Sequence, residues 1–167
     1  MRHALGAKGV QIYTACNLWY EHPQRMWSTG YRKGAIIPAG SAVQKLTKSK
    51  KWMKYYVLFV NPATRIQHGI LWAHGHHPGV ALEDYVRRTF SDKTFDQLVE
   101  GLTAEEIASI HKGEVVPGMS KRAVTISWGH PPEIGTPTLG ATQWKYWIHR
   151  FATSFVNFDG DVVASVS

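Results

Sequence analysis

Gly118-Met119-Ser120-Lys121-Arg122-Ala123-Val124-Thr125-Ile126-Ser127-Trp128-Gly129, taken with Thr142–Val166, is the stretch that decides the fold. Ser120 reads as a helix N-cap, because its hydroxyl oxygen can accept from the free N–H groups of the first turn. Gly129 is the expected C-terminal stop, and Pro131-Pro132 forbids any continuation. Three strands follow, over 142–149, 151–158 and 161–166. In the first, Trp144, Tyr146 and Ile148 alternate with Lys145 and Trp147, the period-two pattern of a sheet with two different faces. Asp159-Gly160 is a hairpin signal between the last two. Residues 113–166 therefore predict one short helix and three antiparallel strands.

Upstream, Thr103-Ala104-Glu105-Glu106 has capping-box spacing, with Gly113 as the stop of that helix. Leu82, Tyr85, Val86 and Phe90 recur at helical spacing over 81–90. Before His77-Pro78-Gly79 the chain is β-rich, with expected strands over 10–20, 50–60 and 65–74 and, over 34–43, a short strand, a Pro-x-Gly turn and the start of a new strand, all separated by Gly and Pro. Short strands at this spacing signal a small barrel or sandwich. The expected fold is α+β: an N-terminal small β-barrel-like region (1–78), a helical connector (79–112) and the helix-plus-three-strand module (113–167).

Gly118-Met119-Ser120-Lys121, Val124, Gly129, Pro131-Pro132, Thr136-Pro137, Trp144-Lys145-Tyr146-Trp147 and Val156-Asn157-Phe158-Asp159-Gly160 together resemble the small outer-membrane assembly lipoproteins of the SmpA/OmlA class. The resemblance covers about a third of the chain. It implies helices packed on a short antiparallel sheet, like the β-lactamase-inhibitor-protein fold, and a non-enzymatic binding role in the cell envelope or periplasm. Asn17-Leu18 and Gly34–Val43 are similar to bacterial Src-homology-3-like barrels. Two departures stand beside the resemblance. A long N-terminal region precedes it, and Lys8 and Gln11 interrupt the apolar run that a leader would need before Tyr13-Thr14-Ala15-Cys16.

Composition narrows the classes. With 44 % hydrophobic residues over 167 positions, the chain can bury a core. A net charge of +7 suits anionic partners, or serves solubility alone. The single cysteine, Cys16, excludes an intrachain disulfide and reads as a buried, inert thiol. No apolar run approaches the roughly 18 residues of a spanning helix.

Three sets of residues carry possible functions. Trp144, Trp147, Phe151 and Phe158 offer aromatic area for the core and for contact with other protein subunits. Lys48, Lys50, Lys51 and Lys54, interleaved with Trp52, Tyr55 and Tyr56, form the pattern that an anionic lipid surface or a single-stranded nucleic acid would require. His68, His74 and His76 would ligate a metal if the last two shared a strand face, with His68 joining them from across a turn. No carboxylate between Glu21 and Glu83 stands ready as a hydrolytic base, and solvated or partner-facing histidines are the simpler account. Phosphate loops, serine elbows and paired carboxylates are not found in the sequence, and no cofactor is implied. The reading is a non-catalytic binding or scaffolding subunit, an accessory to an envelope or membrane-associated assembly. Its rivals are a polyanion binder at Lys45–Tyr56 and a metal-dependent enzyme at the histidines.

Overall fold

The computed structural model describes residues 8–167. Residues 1–7, which include most of the positive end read for a leader, lie outside the described residues. The chain is α+β. Its first part forms a curled six-stranded sheet built from β1 (Ile12–Thr14), β3 (Met26–Trp27), β5 (Ala42–Lys51), β6 (Lys54–Asn61), β7 (Ile66–Leu71) and β8 (Phe90–Ser91), with β2 (Leu18–Tyr20) and β4 (Ala35–Ile37) paired beside it. The order is β3-β7-β6-β5-β1-β8, antiparallel except for the β3–β7 edge. A register shift between Gln44 and Thr47, with Lys45 at φ 54°, marks a bulge in the long strand β5. Such a bulge bends the strand and sharpens its twist.

Ile12, Val43, Val57, Phe59 and Ile70 form the core of this sheet, and Tyr85 and Phe90 join them from α1 (Leu82–Thr89) and β8. The chain turns at His77-Pro78-Gly79, yet α1 and β8 beyond that turn still belong to the first core. Continuous packing thus runs through β8, while Val99 and Ile110 pack in the second core.

The remainder contains α2 (Phe95–Leu98), α3 (Ala104–Lys112), α4 (Lys121–Trp128) and the sheet β11-β10-β9, made from β9 (Gln143–His149), β10 (Ala152–Asp159) and β11 (Val162–Val166). Thr103 and Glu106 form the expected capping box, and Gly113 ends α3 at φ 68°, the left-handed position that glycine occupies without strain. The Glu106 carboxylate also accepts from the backbone and hydroxyl of Ser120, which in turn caps α4. One carboxylate therefore ties the start of α3 to the start of α4. Trp144, Tyr146 and Val156 point inward onto Ile110, Met119, Val124 and Trp128. Burying each large aromatic contributes roughly 2–3 kcal/mol, which is what a three-stranded sheet needs to hold its place.

One expectation fails in an informative way. Residues 10–20 do not form one strand; the chain breaks at Ala15-Cys16-Asn17 between β1 and β2. The Asn17 side chain is drawn into the helical half, where the Ile110 and Ser127 carbonyls hold it.

Candidate functional site

Buried or partly buried polar groups, Asn17, Ser28, Thr29 and His77 among them, join the two cores at their seam. His77 follows a short 3-10 turn (His74–His76) and stacks on Trp72 with centroids 4.8 Å apart. Its Nε2 lies 3.1 Å from Ser28 Oγ, and its Nδ1 lies 3.2 Å from Glu133 Oε2. With Nδ1–H donating to the carboxylate, Nε2 accepts from the serine hydroxyl. Arg88, from the last turn of α1, donates to the other Glu133 oxygen at 2.5 Å. Burial works against ionisation of Glu133, but the His77 and Arg88 hydrogen bonds and the Arg88 charge outweigh it, holding the carboxyl down at about 2. Burial and the Arg88 charge, opposed by Glu133, push neighbouring His130 down to about 4.

Ser28, His77 and Glu133 have the connectivity of a hydrolytic triad. Each of the three is also bound into its surroundings. Ser28 is only 6 % exposed, and its oxygen already accepts the Ala73 N–H at 2.8 Å. The adjoining cavity, lined by Cys16, Trp27, Ser28, Arg88, Trp128 and His130 among others, has a volume of about 40 Å³. That is room for a water molecule or two beside the group. Glu133 also shares its charge with an arginine, so less of it serves the imidazole. The group acts as a clasp: it ties β3, the 73–77 loop, α1 and the loop after α4 into one body. His76 extends the clasp, with its Nδ1 2.6 Å from the Thr29 hydroxyl and its ring facing Trp147. Arg32 adds a third tie, its guanidinium 3.4 Å above the Trp128 ring and its Nη2 donating to Ser154. Sequence signals for this clasp are lacking, since Ser28, Arg88 and Glu133 stand in unrelated local patterns.

The three histidines do not form the expected metal set. His68 is 1 % exposed in β7, stacked on Phe59 and edge-on to Tyr20, and burial lowers its pKa. The strand ends at Leu71, so His74 and His76 sit on a coiled turn and do not share a strand face. His74 is exposed while His76 is bound to Thr29. These three do not converge, and among the described residues no group of three or more His, Cys, Asp or Glu side chains is placed to hold a metal ion.

The lysine set lies together. Lys45, Lys48, Lys50, Lys51 and Lys54 are all exposed on the β5–β6 hairpin. Lys48 pairs with Glu83 on α1 at 2.6 Å, and Lys50 lies over the Tyr55 ring. The expected strand over 50–60 begins only at Lys54, because Trp52 and Met53 form a two-residue turn. A turn without Gly or Asn gave no punctuation in the sequence.

The aromatic set divides. Trp144 and Phe158 are buried against each other and the helices, so they supply core and not contact area. Trp147 is half-buried beside His76. Phe151, at the β9–β10 turn, is 85 % exposed. Phe155, not singled out from the sequence, stands opposite Lys145 on the outer face of the same sheet, where the lysine lies over both its ring and that of Trp147.

Among the described residues no helix is long and apolar enough to cross a membrane. The chain matches no protein-family model, and neither curated proteins nor solved structures include a significant match to it.

Proposed function

We propose that this protein is a non-catalytic protein-binding subunit, an accessory of an envelope or membrane-associated assembly, with its contact surface on the outer side and turn of the C-terminal sheet. The observation that carries this reading is the almost complete exposure of Phe151 at the end of a sheet whose inner face is fully engaged. A bulky ring left in water at the tip of a well-packed hairpin adds nothing to folding. An aromatic anchor beside Arg150 is the type of group that dominates protein contacts. Phe155, Trp147 and the Lys145 stem extend the surface across the sheet. The resemblance of residues 118–160 to outer-membrane assembly lipoproteins supports the envelope setting. The closed clasp at Ser28, with its small cavity, favours binding over catalysis.

The test is comparative capture. Wild type and a Phe151→Asp/Phe155→Lys variant, matched for folding by circular dichroism, serve as baits in extract of the native organism with in-cell cross-linking. The reading expects a defined protein set that cross-links to residues 143–157 and is lost with the variant. Identical recovery by both baits, or a wild type that cross-links to nothing, would sink it.

A further inference from the structure

We infer that the tip of the β5–β6 hairpin is a membrane-docking element that seats Trp52 and Met53 among the headgroups of an anionic phospholipid bilayer. The inference stands on the hairpin alone and is independent of the protein contact proposed above.

Four observations converge. Trp52 is 87 % exposed and Met53 91 %, the largest apolar side chains presented together on the described surface. They stand clear of the body. β7 accompanies β6 only as far as the Tyr56–Leu71 pair and the Trp72-to-Tyr55 hydrogen bond, so beyond that point the ribbon is two-stranded. At about 3.3 Å per residue the tip projects roughly 10 Å past the sheet, a depth comparable with the headgroup layer.

Charge surrounds the tip on both faces of the ribbon. Lys48 and Lys50 are paired with Val57 and Tyr55 on one face, and Lys51 faces Lys54 on the other. Lys45, Lys50, Lys51 and Lys54 have no ion-pair partner among the described residues. Two lysines directly opposite each other repel, which weakens a hairpin that folding alone would favour with opposite charges.

The turn itself disfavours its own residues. Trp52 sits at φ 59°, in the left-handed region that Gly or Asn takes readily and a bulky side chain does not. A tryptophan held there, outside any core and followed by methionine, reduces the stability of the hairpin. A bilayer interface recovers the loss: tryptophan favours the headgroup level, methionine adds apolar area, and each nearby lysine gains from an anionic leaflet. Single-stranded nucleic acid would use the lysines and stack on Trp52, but would leave Met53 without a role.

The test uses the full chain with vesicles of phosphatidylcholine alone and of phosphatidylcholine and phosphatidylglycerol in equal parts, read by flotation at low and high salt. The expected result is binding to the mixed vesicles, weak binding to the neutral ones, and weakening as salt rises. Lys50→Gln/Lys51→Gln/Lys54→Gln should lose about fivefold per lysine, and Trp52→Ser/Met53→Ser at least about tenfold, both on a fold unchanged by circular dichroism. Brominated lipid should quench a tryptophan component that Trp52→Phe removes. The proposal is overturned if the wild type ignores anionic vesicles at low salt, or if Trp52→Ser/Met53→Ser binds them as wild type does. It is equally overturned if a polythymidine oligonucleotide binds through the lysines while vesicles do not.

Discussion

The Asn17 amide donates to the Ile110 carbonyl at 2.8 Å, joining the turn between β1 and β2 to the last turn of a helix 93 positions away. It also donates to the Ser127 carbonyl at 3.1 Å, and its oxygen accepts the Ala39 N–H at 2.8 Å. A side chain only 4 % exposed thus has both amide donors and its oxygen engaged, with the donors on carbonyls at the ends of α3 and α4.

Removing that amide strands the Ser127 carbonyl and the Ala39 N–H and takes from the Ile110 carbonyl its second donor, leaving it the Gly113 N–H. Asn17→Leu is expected to lower unfolding free energy by about 3 kcal/mol in urea titration, more than an ordinary surface change, because unpaired buried groups lose their full solvation. A loss under about 1 kcal/mol would mean that the two halves are held together by other contacts.

Glu133 makes the clasp acid-sensitive. Its folded carboxyl, at about 2, lies below its ordinary value of 4.5, so the stabilisation is fully present above roughly pH 5 and fades as pH falls toward 2. Glu133→Gln should cost about 2–3 kcal/mol near neutrality, and the gap to wild type should close on acidification. A gap that stays constant with pH would show that Glu133 acts through packing alone.

His130 adds a second, earlier acid response. Burial and the Arg88 charge depress it to about 4 from 6.5, so the folded state favours the neutral ring and loses stability as pH falls from about 6.5 toward 4. Between about pH 7 and pH 5 the wild type should lose roughly 1–2 kcal/mol more than His130→Gln, the remaining loss of the variant coming from His68 and His76, whose burial acts in the same direction. An imidazole that titrates near its ordinary value by NMR would contradict this.

Cys16 reports on the seam without perturbing it. Burial pushes the thiol up to about 12, against the lowering effect of Arg88. Its sulfur lies 3.6 Å from where a side chain on Gly129 would begin. An aromatic disulfide reagent at mildly alkaline pH should leave the folded protein untouched and react once urea unfolds it. Labelling of the folded protein within minutes would show that the seam opens readily.

The legibility of this chain follows the range of its signals. Thr103 with Glu106, and Ser120 with Gly129, act within a few residues, and each pair is legible from the residue types and their spacing. Alternation in 144–147 correctly separates Trp144 and Tyr146 from Lys145 and Trp147. The Trp52-Met53 turn is hidden because it lacks the residues that usually announce a turn. Phe158 carries two expected roles at once, since alternation shows which side chains share a face but not which face is covered.

By itself, the sequence determined the α+β class, the capped helices and the three-stranded C-terminal sheet, because caps, stops and period-two patterns are local consequences of backbone geometry. Tertiary structure alone decided that Asn17 breaks a strand to serve two helices. It alone separated His68 from His74 and His76, and gathered Ser28, His77, Arg88 and Glu133 into one clasp. Such juxtapositions depend on how the sheet curls and where two cores meet, and a hydrogen bond across a seam leaves no pattern in the residues that make it.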